Sequence, residues 1–229
     1  MRVTALASGG KDSTYAAYLA ETQGWPVDEL LVLRPSDPDS LLFHTPNLGL
    51  VELQAKSWGK SCRVVEVSGR EEADEVAALR SALKEAGDVV VAGAIASSYQ
   101  WGRLHTVCYS LGRRLFTPLW GKAPERVVRE EITAGLDIRL VQLAAEPLDE
   151  SLLGARLDLA LLEEIERRRR EVRAVNVAGE GGEYESLVVD APFFQSRLEI
   201  EESERSGRGG QHRLRVTRAR LVPKPGRSL

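Results

Sequence analysis

Through the first 120 positions, short apolar runs alternate with longer amphipathic stretches. Val3 to Ala7, Glu29 to Leu33, Arg63 to Val67, Val89 to Ile95 and Leu115 to Leu119 are short and rich in valine, leucine and isoleucine, and they predict strands. Between them, Asp12 to Gln23, Leu48 to Trp58, Glu71 to Ala86 and Ser98 to Arg113 predict helices. Strict alternation of the two periods implies an α/β fold: an open, parallel, five-stranded Rossmann-like sheet with crossover helices. Ligands of such sheets gather at the C-terminal ends of the strands, and chemistry is expected there.

After Gly121 the texture changes. Glu125 to Ala134 predicts an amphipathic helix, Ile138 to Leu143 a strand, Leu157 to Arg170 a long helix and Arg173 to Val177 a short strand. Arg197 to Glu204 and Gln211 to Val222 predict a hairpin turning at Gly207-Arg208-Gly209-Gly210, and Pro223 to Leu229 a frayed tail. Two domains follow, residues 1–122 and a smaller C-terminal α+β domain, residues 123–229. The four arginines at 167–170 suggest nucleic acid, but Glu163, Glu164 and Glu166 precede Arg167, Arg168 and Arg170 by four positions, the order that favours helix ion pairs. The hairpin repeats this logic across strands, with Glu199, Glu201, Glu202 and Glu204 opposite Arg213, Arg215, Arg218 and Arg220.

Composition narrows the classes. A net charge of −3 provides no global field for nucleic acid or an anionic membrane, so neither is expected as a direct partner. No apolar run reaches the ~18 residues of a membrane span, and the N-terminus has no signal-like segment, which implies a soluble, cytoplasmic protein. Cys62 and Cys108 are far apart and form no C-x-x-C, which argues against a zinc site or disulfide framework and fits a reducing compartment. Oligomeric state is left open, a homo-oligomer included.

The chemistry begins at Ser8-Gly9-Gly10-Lys11-Asp12-Ser13, between the first strand and the first helix. Free N–H groups and the positive helix end meet there, glycines admit a phosphate to the backbone, and Lys11, Ser8 and Ser13 add charge and hydroxyl donors. It is not a Walker A loop, because Ala5 and Asp12 stand where that pattern needs glycine and a hydroxyl residue. Asp12 would repel a triphosphate unless a divalent cation or a capping role offset it, so Mg²⁺ is expected with the nucleotide and Asp12 is its candidate ligand. Further along, Gly179-Glu180-Gly181-Gly182-Glu183-Tyr184-Glu185-Ser186 sets three carboxylates among three glycines, an arrangement that calls for a cation: Mg²⁺, ammonium or a cationic substrate group. Tyr99 and Arg103 share a helical face near the end of the fourth strand, and Gly93 there allows either close ligand approach or close helix packing. His44, in the loop after the second strand, is a site candidate through its near-neutral pKa.

S-G-G-K-D-S after an N-terminal strand resembles the PP-loop of the ATP pyrophosphatases, whose HUP-type fold the alternation above would build. With L-R-P after the second strand, G-A-I-A-S-S-Y-Q and Arg103, P-L-W, and G-E-G-G-E-Y-E-S followed by D-A-P-F-F, residues 1 to 195 are similar to the diphthine–ammonia ligases. Ser98 and Trp101 depart from the acidic residue and arginine found in relatives. The resemblance implies ATP-dependent amidation of diphthine on translation elongation factor 2 by ammonium, through an acyl-adenylate, releasing AMP and pyrophosphate. It implies nucleotide contacts from Ala7, Ser8, Gly9, Gly10, Lys11, Asp12, Ser13, Arg34 and Gly93, and substrate contacts from His44, Tyr99, Gln100, Arg103 and Tyr184. Catalysis would fall to Lys11, Asp12, Glu180, Glu183 and Glu185, the glutamates collecting or deprotonating ammonium, while Tyr184, with Tyr99, Trp101 or Trp120, would embrace the trimethylammonium group. Free ammonium is the expected nitrogen source. The residues alone leave two alternatives: another adenylating PP-loop enzyme of the tRNA-modifying type, or a non-catalytic ATP-binding sensor.

Overall fold

The computed structural model describes residues 1–35, 47–67, 72–144, 148–171 and 176–224. Strands β1 (Val3–Leu6), β2 (Glu29–Pro35), β3 (Ser61–Val67), β4 (Val89–Val91) and β5 (Arg114–Phe116) form one sheet in the order β3-β2-β1-β4-β5, all parallel. Helices α1 (Lys11–Thr22), α2 (Val51–Trp58), α3 (Glu72–Lys84) and α4 (Ser98–Ser110) cross between them. The strand order reverses between β1 and β4, which makes that crevice the expected ligand site. Alternate residues of β2 serve opposite faces: Leu30 and Val32 join a core with Ala16, Ala20, Val51 and Ala55, while Leu31 and Leu33 meet Leu79, Leu83, Val107 and Cys108. Burial on both faces is why these strands are continuous apolar runs in the sequence.

β4 and β5 are shorter than the apolar runs suggest. β1 ends at Leu6, where the chain enters the glycine loop, so β4 loses its partner on that side beyond Val91. Ala92 to Ser97 then lead out toward the crevice. Arg34 and Pro35, expected just past β2, are its last two residues, and Arg34 pairs with Glu66 of β3 in register at 2.9 Å. His44 lies outside the described residues.

The rest of the chain adds α5 (Pro124–Thr133), β6 (Asp137–Leu143), α6 (Leu159–Glu171), β7 (Tyr184–Asp190), β8 (Ser196–Arg208) and β9 (Gln211–Pro223). The strands form an antiparallel sheet in the order β7-β6-β9-β8. β7 is absent from the sequence expectation; the acids and glycines before it read as a loop that runs on past Tyr184. The expected strand from Arg173 to Val177 falls largely on residues outside the description, and Val177 itself sits in a turn.

Arginines of both clusters form ion pairs. Glu164 holds both Arg167 and Arg168 at 2.7 Å, Arg129 of α5 reaches Glu166 at 3.3 Å, and on the hairpin Glu199 holds Arg220 at 2.6 Å and Glu202 holds Arg218 at 2.7 Å. Among the described residues no helix is long and apolar enough to cross a membrane.

One buried cluster runs from the parallel sheet into the antiparallel one. Phe193 stacks on Tyr18 of α1 with ring centres 4.6 Å apart and tilts against Trp58 of α2 at 4.4 Å. The Gln195 N–H donates to the Ser57 carbonyl at 2.7 Å. These contacts hold the segment between β7 and β8 against α1 and α2.

Gly93, two residues past β4, packs closely on α1: a Cβ there would lie 2.6 Å from the Asp12 carbonyl carbon. Gly93→Ala should therefore push the first turn of α1 off the sheet and cost about 1–3 kcal/mol, measured by urea unfolding. An unchanged midpoint would mean that α1 can shift freely.

Candidate active site

The glycine loop takes its shape from local needs and from a distant strand. Gly9 has φ +81°, and a side chain there would meet Val51 Cγ2 at 3.1 Å. The Ser8 N–H donates to Ser13 Oγ at 3.2 Å, and the Gly10 N–H to Ser8 Oγ at 3.3 Å. Gly10 is the N-cap of α1 and brings no side-chain cap of its own; the Lys11 N–H instead donates to Ser186 Oγ of β7 at 3.1 Å. The Gly9 carbonyl accepts from the Val188 N–H at 2.9 Å and from Gln54 Nε2 at 2.9 Å, and Gln54 Nε2 also donates to the Val188 carbonyl at 2.7 Å. Glycine-rich backbone is entropically expensive to hold in one conformation, and these bonds hold it.

Beside the loop lies a pocket of about 220 Å³ at the crevice between β1 and β4. Its polar wall includes Ala7, Ser8, Asp12 and Ser13 from the loop region, Gly93 after β4, Gln100 and Arg103 of α4, and Glu180 and Glu185 from the glutamate segment. These nine residues, separated by up to 178 positions, were all candidates on sequence grounds. Leu31, Leu33, Leu48, Leu79 and Leu104 add an apolar floor suited to a flat base. Sequence reasoning did not name these leucines; the strand-end rule applied to β2 would have found Leu33.

The three glutamates have three different jobs. Glu180 Oε1 accepts from the Ile95 and Ala96 N–H groups at 2.9 and 2.8 Å, tying its segment to the end of β4. Glu183 turns back on its own segment, accepting from the Asn176 N–H at 2.9 Å through Oε1 and the Gly181 N–H at 2.9 Å through Oε2. Glu185 faces the pocket, where burial first and the Asp12 charge second raise its pKa to about 7, the Lys11 charge only partly opposing them. A carboxyl in that range can accept and release a proton at neutral pH.

Lys11 does not line the pocket. Its ammonium is 1% exposed, 2.6 Å from Asp12 Oδ1 and 3.8 Å from Glu131 Oε2 of α5, with the Tyr184 ring 5.7 Å away. Burial alone would lower its pKa, but Asp12 and Glu131 outweigh burial and hold it above the ordinary lysine value. Burial raises Glu131 far above the usual carboxylate range, only partly offset by Lys11. The sequence offered Glu131 as one more acid on an amphipathic helix; its complete burial depends on where α5 packs.

Tyr184 is buried, its hydroxyl donates to the Val177 carbonyl at 2.7 Å, and its ring lies beside the Lys11 ammonium and outside the pocket lining. Arg103 lies over the Tyr99 ring, 3.2 Å from its centre, and donates to the Tyr99 carbonyl at 3.1 Å. Trp101 and Trp120 stack on each other at 5.2 Å, which leaves no cage between them. Among the described residues no group of three His, Cys, Asp or Glu side chains could hold a metal ion. Asp12 at the pocket wall nevertheless suits Mg²⁺, which commonly takes one or two carboxylates and completes its shell with phosphate oxygens and water.

Comparison with known proteins agrees with this geometry. A family model described as "Diphthamide synthase N-terminal domain" matches residues 1–115, and one described as "Diphthamide synthase C-terminal domain" matches residues 123–222. A protein named diphthine–ammonia ligase from Rattus norvegicus is 33% identical, covering 89% of this chain and 84% of its own. The proteins of that name from Homo sapiens, 32% identical, and Danio rerio, 33% identical, cover 84% and 88% of their lengths with 89% of this chain. A solved structure from Methanocaldococcus jannaschii, a predicted subunit of tRNA methyltransferase, aligns with 84% of this chain at 16% identity and a TM-score of 0.44, too distant to carry an argument.

Glu185 gives a stability test. Its pKa is raised from 4.5 to about 7 on folding, so the folded state binds the extra proton and stability falls as pH rises between those values. Glu185→Gln should escape that loss, gaining about 1–2 kcal/mol over the parent at pH 8 and almost nothing at pH 4.5. Thermal unfolding at both pH values checks it, and a difference independent of pH would mean that the carboxyl is well solvated.

Proposed function

The chain belongs to the diphthamide synthase family, and from that premise we propose that it amidates diphthine on translation elongation factor 2, using ATP and ammonium. The observation that carries this reading is the meeting of two motifs in one pocket: the glycine loop after β1 and the glutamate segment that enters β7. A carboxylate is a poor acyl donor. Its oxygen attacks the α-phosphorus of ATP, pyrophosphate leaves, and the resulting acyl-adenylate is open to nitrogen. Ammonia then attacks the acyl carbon and AMP leaves.

Each residue in the pocket suits a part of that sequence. The first-turn N–H groups of α1 and the hydroxyls of Ser8 and Ser13 would bind the phosphates, and Arg103 would add the cationic side chain on the opposite wall. The leucine floor would take the adenine. Mg²⁺, held by the triphosphate and Asp12, would neutralise charge on the departing pyrophosphate. Glu185 is the base: ammonium must lose a proton before its nitrogen has a lone pair, and a carboxyl near pKa 7 can take it at physiological pH. Glu180 and Glu183, already accepting backbone N–H groups, hold the segment that presents Glu185. The protein acts in the cytoplasm in this reading, where its acceptor is made and used.

The test combines AMP formation from ATP, Mg²⁺ and ammonium with the mass of elongation factor 2 carrying diphthine. AMP coupled to the carboxylate-to-amide mass change is expected; AMP without amidation would assign a different acceptor, and ATP binding without AMP would make the protein a sensor. Glu185→Gln should lower the amidation kcat at least about a hundredfold and leave the KM for ATP within a few-fold.

A further inference from the structure

We infer that Lys11 is an internal counter-cation and not a phosphate ligand, and that Glu131 is a positioning residue that keeps the Lys11 ammonium inward so that Asp12 alone of the neighbouring pair faces the pocket. A lysine at a glycine turn and a helix start would ordinarily be assigned to the phosphates. Here its side chain is 1% exposed while that of Asp12, one position on, is 30% exposed and lines the pocket. The two side chains are joined at 2.6 Å, so whatever fixes Lys11 also fixes the direction of Asp12.

Three elements close around the ammonium. Asp12 belongs to α1, Tyr184 opens β7 with its hydroxyl fixed on Val177, and Glu131 comes from α5, 120 positions after Lys11. Glu131 is fully buried, with Asp12 as its acidic neighbour and the ion pair to Lys11 Nζ at 3.8 Å as its cationic contact. Buried ionisable groups persist when they are compensated, and removing one member of such a group leaves the others stranded. If Lys11 swung out to a phosphate, it would leave Glu131 enclosed with no cation and would release Asp12 from its present direction. The phosphate contacts must then come from backbone N–H groups, hydroxyls and Arg103.

This inference rests on the reading that ATP occupies the pocket, and binding of ATP to the unaltered protein tests that reading separately. Affinity for ATP in the presence of EDTA, and kcat and KM for AMP formation with Mg²⁺, would be measured on the parent, Lys11→Met, Glu131→Gln and the double variant. Lys11→Met should change the Mg²⁺-free ATP affinity by no more than about threefold and lower kcat at least about tenfold through the misplaced Asp12. Glu131→Gln should lower kcat about tenfold with the KM for ATP within about threefold, and the double variant should be no slower than Lys11→Met, because Glu131 acts through Lys11. A thirtyfold or greater loss of Mg²⁺-free affinity in Lys11→Met would make Lys11 a phosphate ligand. An unchanged kcat in Glu131→Gln, or losses that multiply in the double variant, would overturn the role of Glu131. If Glu131→Gln does not fold, Lys11→Met/Glu131→Leu replaces both ion partners with apolar groups and is compared with Lys11→Met, again with equal rates expected and a further loss overturning the assignment.

Discussion

The hydrogen bond from the Val188 N–H to the Gly9 carbonyl, 2.9 Å long, is the contact on which the arrangement of the pocket depends. It joins the most conformationally free part of the chain to the interior of an antiparallel strand. Gln54 reinforces it by bonding to both Gly9 and Val188, and Ser186 caps α1 from the same strand. A glycine loop that had only its own strand and helix for support would sample many conformations, and order gained on ligand binding would be subtracted from affinity. Anchored to β7, the loop is shaped before any ligand arrives. The strand that anchors it also carries Glu185, so the glycine loop and the proposed base share one rigid element.

That shared element concentrates charge. Asp12 and Lys11 lie close enough to both Glu131 and Glu185 to influence each of them. In a medium of low effective dielectric, three ionised carboxylates cannot be balanced by one ammonium. The affinity for protons rises instead, and both Glu131 and Glu185 are displaced upward. Glu185, at the pocket, stands at about 7, and Glu131, fully enclosed, is displaced upward chiefly by burial. The surface acids behave differently: Glu164, between two arginines, is held down at about 2.

Much of this was legible in the sequence for a local reason. The parallel sheet follows from alternating periods within about 120 residues, and the anion seat follows from a strand, two glycines and a helix start in succession. The glutamate segment was legible as a site because three carboxylates among glycines need compensation. What could not be read was long-range. β7 escaped because its first residues, Tyr184 and Glu185, belong equally well to the acid-rich segment, and because its pairing partner β6 lies more than 40 positions earlier. The inward turn of Lys11 depends on Glu131, and the burial of Glu131 depends on how α5 packs against α1. Tyr184 could be recognised as an aromatic near a site, but not as one whose hydroxyl is already committed to Val177.

The joint between the two sheets also bears on the order of chemical events in the proposed reaction. An acyl-adenylate in open water is exposed to hydrolysis, so the nitrogen nucleophile has to be generated where the adenylate forms. Glu180, by bonding to the Ile95 and Ala96 N–H groups, draws the glutamate segment over the end of β4, and Glu183 stiffens that segment from within. The proposed base therefore lies in the same pocket as the glycine loop, held there by backbone bonds that remain when its own protonation changes. Activation of the carboxylate and deprotonation of ammonium can then take place within one pocket, which an anchored loop allows and a separately hinged pair of domains would have to recreate at every turnover.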